Sequence, residues 1–377
     1  MFVGIYIFII IINLYIGLHV CFFFRALAWK LGLKLPLWAA WLLFLVAALV
    51  YLLIRSRGGF VQSSFRILND YWGAMLATPL LFLLDLVSLG RFVLLIFKVR
   101  PVFYAEPRFT LISHIALAAL LAAVIALGSW QARHETITRY RVVTEKPLSG
   151  GRLTVTLVSD IHAGAMVKQK QLNRLVASVN RLGGDIILLA GDIIDRANMD
   201  CIDAYRAGNL GRLKAPMGVW AVTGNHEYIG GDLAEFRRRV EADGIRLLMD
   251  EAELIADAFY VIGRKDRSAV RRGDGRKSLG ELTDGLDRSL PLIIADHQPF
   301  NLEEAEAAGI DLQVSGHTHN GQIWPGPLVI KKIYANGYGL LYKGKTAIVV
   351  TSGFGTWGPP LRLGTRAEIV SIKLVNE

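Results

Sequence analysis

The sequence predicts two units: an N-terminal all-α transmembrane bundle of four helices in residues 1–130, and a two-sheet α/β sandwich in residues 131–377. Two observations predict this division. Long apolar stretches occupy the first 130 residues, whereas the apolar runs beyond them are short and end in polar tips. Charge divides at the same place, because residues 1–130 contain ten of the 42 Lys/Arg and three of the 32 Asp/Glu.

Four apolar stretches are long enough, or nearly so, to cross a hydrocarbon core of about 30 Å. They are residues 2–24, 36–54, 76–97 and 111–127. The first is not typical of a signal peptide, because it lacks a basic start and a small-residue cleavage site, and three more stretches follow it. Aromatic residues such as Trp29, Trp38 and Trp130 lie at the edges of the stretches, as they do at membrane interfaces. We therefore expect a multi-pass protein of the cell membrane.

The basic excess of the chain belongs mainly to the apolar part, because the second unit contains 32 basic and 29 acidic residues. Such an excess is typical of membrane flanks, so we expect membrane lipid and no nucleic acid as a partner. The basic loops 25–35 and 98–108 favour the cytoplasm, which would place the second unit outside it, although basic residues after the fourth stretch favour the opposite orientation. Cys21 and Cys201 lie in different units and predict no disulfide framework.

Several ionisable residues lie inside the predicted spans, and three of them bear on function. Asp85 and Arg91 fall in the third stretch, and His114 lies near the start of the fourth. Intramembrane charge favours a functional site, for instance for a lipid or a proton. The alternative, which we prefer, is mutual pairing or burial within the helix bundle, because a lone acid and base form no transport pattern.

The second unit begins with an alternating segment at 136–144, which predicts an edge strand. A strand at 153–158, a helix at 168–181 and a strand at 185–190 follow, and this strand–helix–strand order favours a parallel sheet. The pattern then predicts a strand at 219–222, a helix at 234–242, a hairpin at 254–263 and strands at 291–295 and 311–315. Residues 346–352 and 367–374 alternate like strands of a second sheet. The basic segment 264–288 predicts a solvated loop or short helix rather than a contact for an anionic substrate or lipid.

Five of the eight histidines lie where these apolar runs end, each next to Asp, Asn, Gly or another His. Ligands gather outside the carboxyl ends of strands in α/β sheets, and this donor set suits zinc, manganese or iron. Seven candidate ligands are too many for one tetrahedral site and indicate two metals that clamp a phosphoryl displacement. Each residue alone would suit a turn, a helix cap or a surface position, but the ordered set of five tips does not. The candidate ligands are Asp160, His162, Asp192, Asn225, His297, His317 and His319.

The tips resemble the five-block signature of the calcineurin-like metallophosphoesterases, in its membrane-associated branch. The blocks are Asp160-x-His162, Gly191-Asp192-x-x-Asp195-Arg196, Gly224-Asn225-His226-Glu227, His297 and Gly316-His317-x-His319. The resemblance covers residues 150–377 and implies a metal-dependent phosphoric ester hydrolase with an α/β/β/α sandwich. The closing segment 353–362 also fits that branch.

The resemblance implies a role for each block. One metal ion would be held by Asp160, His162, Asp192 and His319, and the other by Asp192, Asn225, His297 and His317. A water between the ions would be the nucleophile. His226, oriented by Asp195, would stabilise charge on the phosphoryl group or protonate the leaving oxygen. Arg196 matches a position that pairs with the phosphate in some relatives.

Three functions remain open from the sequence. The first is a phosphohydrolase that acts on monoesters, diesters or pyrophosphates of small molecules. The second is the same hydrolase acting on a phospholipid or lipid-linked pyrophosphate that enters from the bilayer. The third is a membrane sensor that binds a phosphorylated ligand without turnover, although no ligand position is missing. The sequence favours the hydrolase.

Overall fold

The computed structural model describes residues 2–55, 85, 107–164, 167–196, 198–207, 209–229 and 232–376. The chain divides into two compact units, 1–127 and 128–377. We describe each unit by itself.

The N-terminal unit contains three helices in its described part: α1 (Phe2–Lys30), α2 (Leu37–Arg55) and α3 (Pro107–Arg133), whose last turn belongs to the second unit. Two of them are long and apolar enough to cross a membrane, over Ile10–Lys30 and Pro107–Arg133, and α2 carries a shorter apolar segment, Leu37–Val46. The third predicted span, 76–97, lies outside the described residues apart from Asp85, and so does Arg91. A bundle of four helices therefore stays a prediction.

Asp85 lies in a polar cluster with two histidines. Tyr15 donates to Asp85 Oδ2 over 2.7 Å, and His19 Nε2 lies 3.3 Å from the same oxygen. The other nitrogen of His19 lies 3.3 Å from His114 Nε2, whose own Nδ1 bonds the carbonyl of Thr110. His19 is buried, whereas the Asp85 side chain is 45% exposed and pairs with His19 and Tyr15. Arg91 lies outside the described residues, so its pairing with Asp85 stays a prediction.

The second unit contains two six-stranded sheets. Their strands are β1 (Thr136–Thr144), β2 (Arg152–Val158), β3 (Ile186–Ala190), β4 (Val219–Val222), β5 (Ile245–Leu248), β6 (Glu251–Ile255), β7 (Phe259–Gly263), β8 (Leu292–Ala295), β9 (Leu312–Ser315), β10 (Gly339–Lys343), β11 (Thr346–Val350) and β12 (Glu368–Asn376).

The first sheet has the order β1-β12-β2-β3-β4-β5, and the second has β10-β11-β9-β8-β7-β6. In the first sheet, each of β2, β3 and β4 is parallel to the next, and β12 is antiparallel to β2. In the second sheet, β7 is parallel to β8 and β8 to β9, whereas β6 is antiparallel to β7 and β10 is antiparallel to β11.

Helices cover the outer faces of both sheets. On the first sheet they are α4 (Gln169–Leu182), α5 (Met199–Ala207) and α6 (Leu233–Ala242). Two later helices, α7 (Ser268–Arg271) and α10 (Gly326–Ile333), lie in the connections, whereas α8 (Leu279–Thr283) and α9 (Leu302–Ala307) pack on the second sheet. Helix α4 ends at Gly183, which takes the left-handed conformation that glycine adopts without steric cost. Side chains of both sheets, such as Leu157 and Val314, share one buried core between them. The layers are therefore α/β/β/α, as expected.

Two expectations need correction. The segment 367–374 does not join the second sheet, because β12 lies in the first sheet between β1 and β2. Of the two segments expected at the end of the second sheet, only 346–352, which contains β11, lies there. The segment 264–288 contains two short helices, α7 and α8, as the sequence predicted, but it is not solvated throughout, because Arg264 and Asp266 are buried. Arg264 and Arg276 bond the buried carboxylate of Asp296, a pairing whose partner lies too far along the chain for local pattern to show.

Candidate metal centre

Every predicted ligand lies just after a strand that points to one end of the sandwich. Asp160 and His162 follow β2, Asp192 follows β3, and Asn225 follows β4 of the first sheet. The other three, His297, His317 and His319, follow β8 and β9 of the second sheet. Because the carboxyl ends of parallel strands meet at one edge, two packed sheets bring the seven side chains together.

The first group of donors consists of Asp160, His162 and His319. His319 Nε2 lies 3.3 Å from Asp160 Oδ1 and 3.1 Å from His162 Nε2. The three ligand atoms lie within 4.8 Å of one another, and all three residues are buried. Two imidazoles and a carboxylate at this separation form a set that can hold one divalent ion.

The second group consists of Asp192, His297 and His317, with Asn225 beside them. His297 Nε2 lies 3.2 Å from Asp192 Oδ2, and His317 Nδ1 lies 2.8 Å from Asn225 Oδ1. Asp192 Oδ2 also lies 3.9 Å from His162 Nε2 of the first group. Asp192 therefore stands between the two groups.

The hydrogen bonds of His297 leave a place for a cation in the second group, between its Nε2 and the Asp192 carboxylate. Its Nδ1 lies 2.8 Å from the carbonyl of Ala190, which can only accept, so Nδ1 carries a proton. In the neutral ring Nε2 is then a lone pair that faces the Asp192 carboxylate, and this buried atom has no hydrogen-bond partner. Two acceptors at 3.2 Å repel each other unless a metal ion or a proton lies between them. Although burial opposes it, Asp192 raises the pKa of His297 well above its usual value, so a proton fills this place in the absence of metal.

The other charges also suit metal ligation. Burial, aided by His226, lowers the pKa of His162 to about 3, and burial, aided by His297, lowers that of His317 to about 4. Burial would raise the pKa values of Asp160 and Asp192, but neighbouring histidines outweigh it and hold both below their usual range. Neutral imidazoles and ionised carboxylates are the forms that bind metal ions.

The backbone of the ligand residues is strained. Asp160, His162, Asp192, His317 and His319 have φ values of 53°, 50°, 51°, 69° and 49°, in the left-handed region. Such a conformation costs a non-glycine residue on the order of 1–3 kcal/mol, and it persists only where the surroundings enforce it. The strain therefore marks the loops that the rest of the fold holds in place to aim these side chains.

Glu227 enforces the conformation of the loop that carries Asp192. Its buried carboxylate accepts backbone N–H groups from Asp192, Ile193, Ile194 and Gly224, over 2.7–3.1 Å. Burial and the charge of Asp192 raise the pKa of Glu227 to about 7, and the N–H donors limit the rise. The sequence places Glu227 in the Gly-Asn-His-Glu block but indicates no role for it, because three of the four N–H groups that its carboxylate accepts lie over thirty positions away.

Two glycines leave room for the ligand carboxylates. A Cβ on Gly224 would lie 2.1 Å from Asp192 Oδ1, and one on Gly316 would lie 2.2 Å from Asp160 Oδ2. Both distances are far below van der Waals contact. The glycines of the Gly-Asn-His and Gly-His-x-His blocks are thus required by the close approach of one strand tip to the next.

His226 lies at the edge of the ligand set. Its Nδ1 bonds the backbone carbonyl of Asp195 over 2.8 Å, whereas the Asp195 carboxylate is 3.5 Å away. The predicted orienting residue is therefore present, but its main chain makes the shorter contact. Burial disfavours the imidazolium, but Asp192 and Asp195 outweigh it and raise the pKa of His226 to about 9. Arg196, the remaining predicted site residue, is exposed beside Asp195.

Arg362 is a further residue whose role the sequence did not indicate. The whole side chain is buried, and its Nη2 donates to the carbonyls of Ser352, Gly353 and Gly355 while lying 3.4 Å from His319 Nδ1. Arg362 therefore links the segment 352–355 to the predicted ligand His319. The resemblance had drawn attention to the motif around Arg362, but only the fold shows this contact.

Fold, donor set and charge define a metal-dependent phosphoric ester hydrolase, and the comparisons with known proteins agree. The family described as calcineurin-like phosphoesterase matches residues 153–321. A metallophosphoesterase of Aquifex aeolicus is 33% identical over 265 residues, which are 68% of this chain and 97% of the relative. This chain belongs to the calcineurin-like metallophosphoesterases.

Two other relatives agree with this assignment, and the name of the second also mentions a transmembrane part. A metallophosphoesterase of Helicobacter pylori is 31% identical over 254 residues, which are 65% of this chain and 67% of that protein. A protein of Danio rerio described as a transmembrane protein with metallophosphoesterase domain is 31% identical over 274 residues. The match covers 68% of this chain and 62% of the Danio rerio protein, so it spans less than two thirds of that relative.

Proposed function

We propose that the chain is a membrane-anchored phosphohydrolase that uses two divalent metal ions to cleave phosphoester or pyrophosphate bonds. The observation that carries this proposal is the position of Asp192 Oδ2, 3.2 Å from His297 of one donor group and 3.9 Å from His162 of the other. A carboxylate between two such groups suits a pair of ions that share it. Asp160, His162, Asp192 and His319 would hold one ion, and Asp192, Asn225, His297 and His317 the other.

Manganese, zinc and iron all suit this mixture of imidazole, carboxylate and amide donors. When bound, the ions would polarise the phosphoryl oxygens and acidify the attacking water. The chain supplies the remaining groups. Glu227 and the glycines beside the ligand carboxylates fix the loops, so that the donors do not have to reorganise as charge develops.

His226 is suited to hold a proton near the leaving oxygen. Its pKa of about 9 keeps it protonated at neutral pH, and the Asp195 carbonyl fixes the ring from the Nδ1 side. The Nε2–H is then available to the substrate. Arg196 is exposed near the same edge and suits a contact with a substrate phosphate.

We propose that residues 1–130 form a multi-pass anchor of four spans in the cell membrane, with residues 131–377 as the hydrolase and its position outside the cytoplasm. Two helices that are long and apolar enough to cross a membrane support an anchor. The expected partners are a phosphorylated small molecule or phospholipid as substrate and membrane lipid around the spans, with no nucleic acid.

The test uses the full chain in detergent with p-nitrophenyl phosphate, a monoester, and bis-p-nitrophenyl phosphate, a diester. Manganese or zinc should support turnover, and Asp192→Asn should abolish it with both esters. The ratio of monoester to diester turnover would then narrow the substrate. Binding of two metal ions without turnover of either ester would contradict a hydrolase of soluble esters, and failure to bind any metal would overturn the proposal.

A further inference from the structure

An uncovered apolar surface borders the metal site. Trp324, Leu328, Val329, Ile333 and Trp357 expose between 52% and 66% of their surface, and we call these five residues the apolar rim. Three of them lie on α10, which has no buried residue at all. Large apolar side chains in a contiguous exposed group mark a surface that contacts a partner or a membrane.

The apolar rim is fastened to the ligand loops. Gln322, three residues after His319, bonds the backbone of Trp357 through both ends of its side-chain amide. Beyond α10, the ring of Tyr334 lies 6.4 Å from that of His317. Thr318, between the two histidine ligands, donates to the carbonyl of Gly337. The segments that carry the rim are therefore bonded directly to the loops of the predicted ligands His317 and His319.

The first residues of the second unit, which form the end of α3, contact the segment that leads to the same surface. Gly128 and Trp130, in the last turns of α3, contact the segment 362–366: the Gly128 carbonyl accepts from the Arg362 N–H, and the Arg366 guanidinium lies over the Trp130 ring at 5.9 Å. The neighbouring Leu363 exchanges backbone hydrogen bonds with Gln322 and Trp324, over 3.0 and 2.8 Å. Arg362 and Leu363 thus connect the end of α3, within the second unit, to the loop that carries Trp324.

The chemistry of the rim matches a bilayer surface better than a protein partner. Exposed tryptophans together with exposed aliphatic side chains are typical of surfaces that enter the headgroup region. Lys331 and Lys332 lie on the same helix and are exposed. Their long apolar stems lie along apolar surface while their ammonium groups reach lipid phosphates.

We propose that the apolar rim docks on the surface of an anionic bilayer, and that the site consequently acts on phosphate groups carried by membrane lipids. The second half rests on the proposed hydrolase function, whereas the docking does not. With the rim in the headgroup layer, a lipid phosphate reaches His317 and His319 without leaving the membrane surface. A soluble ester reaches the same site from the water side.

Docking is tested by placing a fluorophore on the full chain in nanodiscs of phosphatidylcholine and phosphatidylglycerol. Leu328→Cys labels the rim, and Leu254→Cys is the matched control. Leu254 is an exposed leucine that pairs with Tyr260 at the start of β7, away from the ligand end of the sheet. The native cysteines Cys21 and Cys201 are buried, and the unsubstituted chain serves as the blank.

Spin-labelled phosphatidylcholine should quench the label at position 328 at least about twofold more than the label at 254. Lys331→Gln with Lys332→Gln should weaken this quenching in discs with phosphatidylglycerol but not in discs of phosphatidylcholine alone. Equal quenching at both positions would overturn the docking. So would a label at 328 that neither lipid nor aqueous iodide can quench, because protein would then cover the rim.

The substrate half is tested with Leu328→Ser combined with Ile333→Ser. Turnover of bis-p-nitrophenyl phosphate should stay unchanged, while hydrolysis of phosphatidic acid or a polyprenyl pyrophosphate in the same discs should fall about tenfold. Wild-type chain that cleaves the soluble ester but neither lipid would overturn the lipid substrate. Lipid quenching at 328 without turnover of any ester would instead overturn the hydrolase function and leave the docking intact.

Discussion

The metal centre and the cluster around His19 both combine histidine and aspartate in the described part of the chain, but they are built differently. In the metal centre, the side chains of five strand tips converge, and donor atoms of separate residues lie within 4.8 Å of one another. In the N-terminal unit, His19 contacts Asp85 through one nitrogen and His114 through the other, so the groups form a line. Asp85 and His114 therefore lie at different nitrogens of the His19 ring, and an ion bound at either nitrogen would meet only one of them.

The difference shows that residue type alone does not make a metal site. Helices hold His19 and His114 in ordinary backbone conformations, and each ring is satisfied by its neighbours. The metal centre instead has strained loops and a buried His297 nitrogen without a partner. Strain and an unsatisfied donor or acceptor are the signs of a place prepared for a ligand.

The largest expected effect concerns metal content. Asp192→Asn should lose both ions, because Asp192 lies between the two donor groups, whereas His317→Ala should lose one. Metal analysis after dialysis measures this. Asp85→Asn, in the linear cluster, should retain both ions. Loss of metal from the Asp85 variant would break the distinction between the two clusters.

Removal of metal should also destabilise the second unit. Chelation leaves Asp160, Asp192 and Glu227 buried close to one another without counter-charge, apart from the histidines that take up protons. An ion present at about a thousand times its dissociation constant contributes about 4 kcal/mol, which corresponds to a fall in melting temperature on the order of 10 °C. Thermal unfolding with and without chelator checks this. Asp192→Asn is the control and should barely respond to the chelator.

His226→Gln should lower turnover about a hundredfold, because it removes the proton held beside the site. If His226 protonates the leaving oxygen, the substitution should lower turnover of a phenyl ester more than that of a p-nitrophenyl ester. The p-nitrophenolate is the weaker base and leaves more readily without a proton. An equal loss would favour stabilisation of phosphoryl charge. Since the pKa of His226 is raised to about 9, wild-type turnover should fall as pH rises through that value. The glutamine variant should show no such fall.

Asp195→Asn should have the smallest effect of this series, about a few-fold in turnover. The backbone carbonyl that holds His226 Nδ1 survives the substitution, and only the carboxylate 3.5 Å away is neutralised. The decline of turnover with pH should move to lower pH, because a negative charge that favours the imidazolium is gone. A hundredfold loss would show that the carboxylate, and not the main chain, orients the ring.

Local pattern predicted much of this architecture. Strand–helix–strand order predicted β2, α4 and β3, and the ends of five predicted strands supply every residue of the two donor groups that could hold a metal ion. The position of β12 was missed because alternation marks a strand but does not say which neighbour it pairs with. Glu227, Arg362 and Arg276 were missed as supporting residues for a similar reason. Their bonds reach loops that the sequence separates and only the packed sheets bring together.

The position of β12 between β1 and β2 delays completion of the first sheet during synthesis. This strand, at 368–376, lies between β1 and β2, which follow one another at the start of the second unit. During synthesis, β1 has no partner in the first sheet until residue 376 has left the ribosome, although the apolar helices before it emerge much earlier. If the apolar helices insert into a membrane as we propose, that insertion precedes the completion of the first sheet. A chain whose synthesis stops within β12 would then have an open sheet edge, a form that invites aggregation or proteolysis.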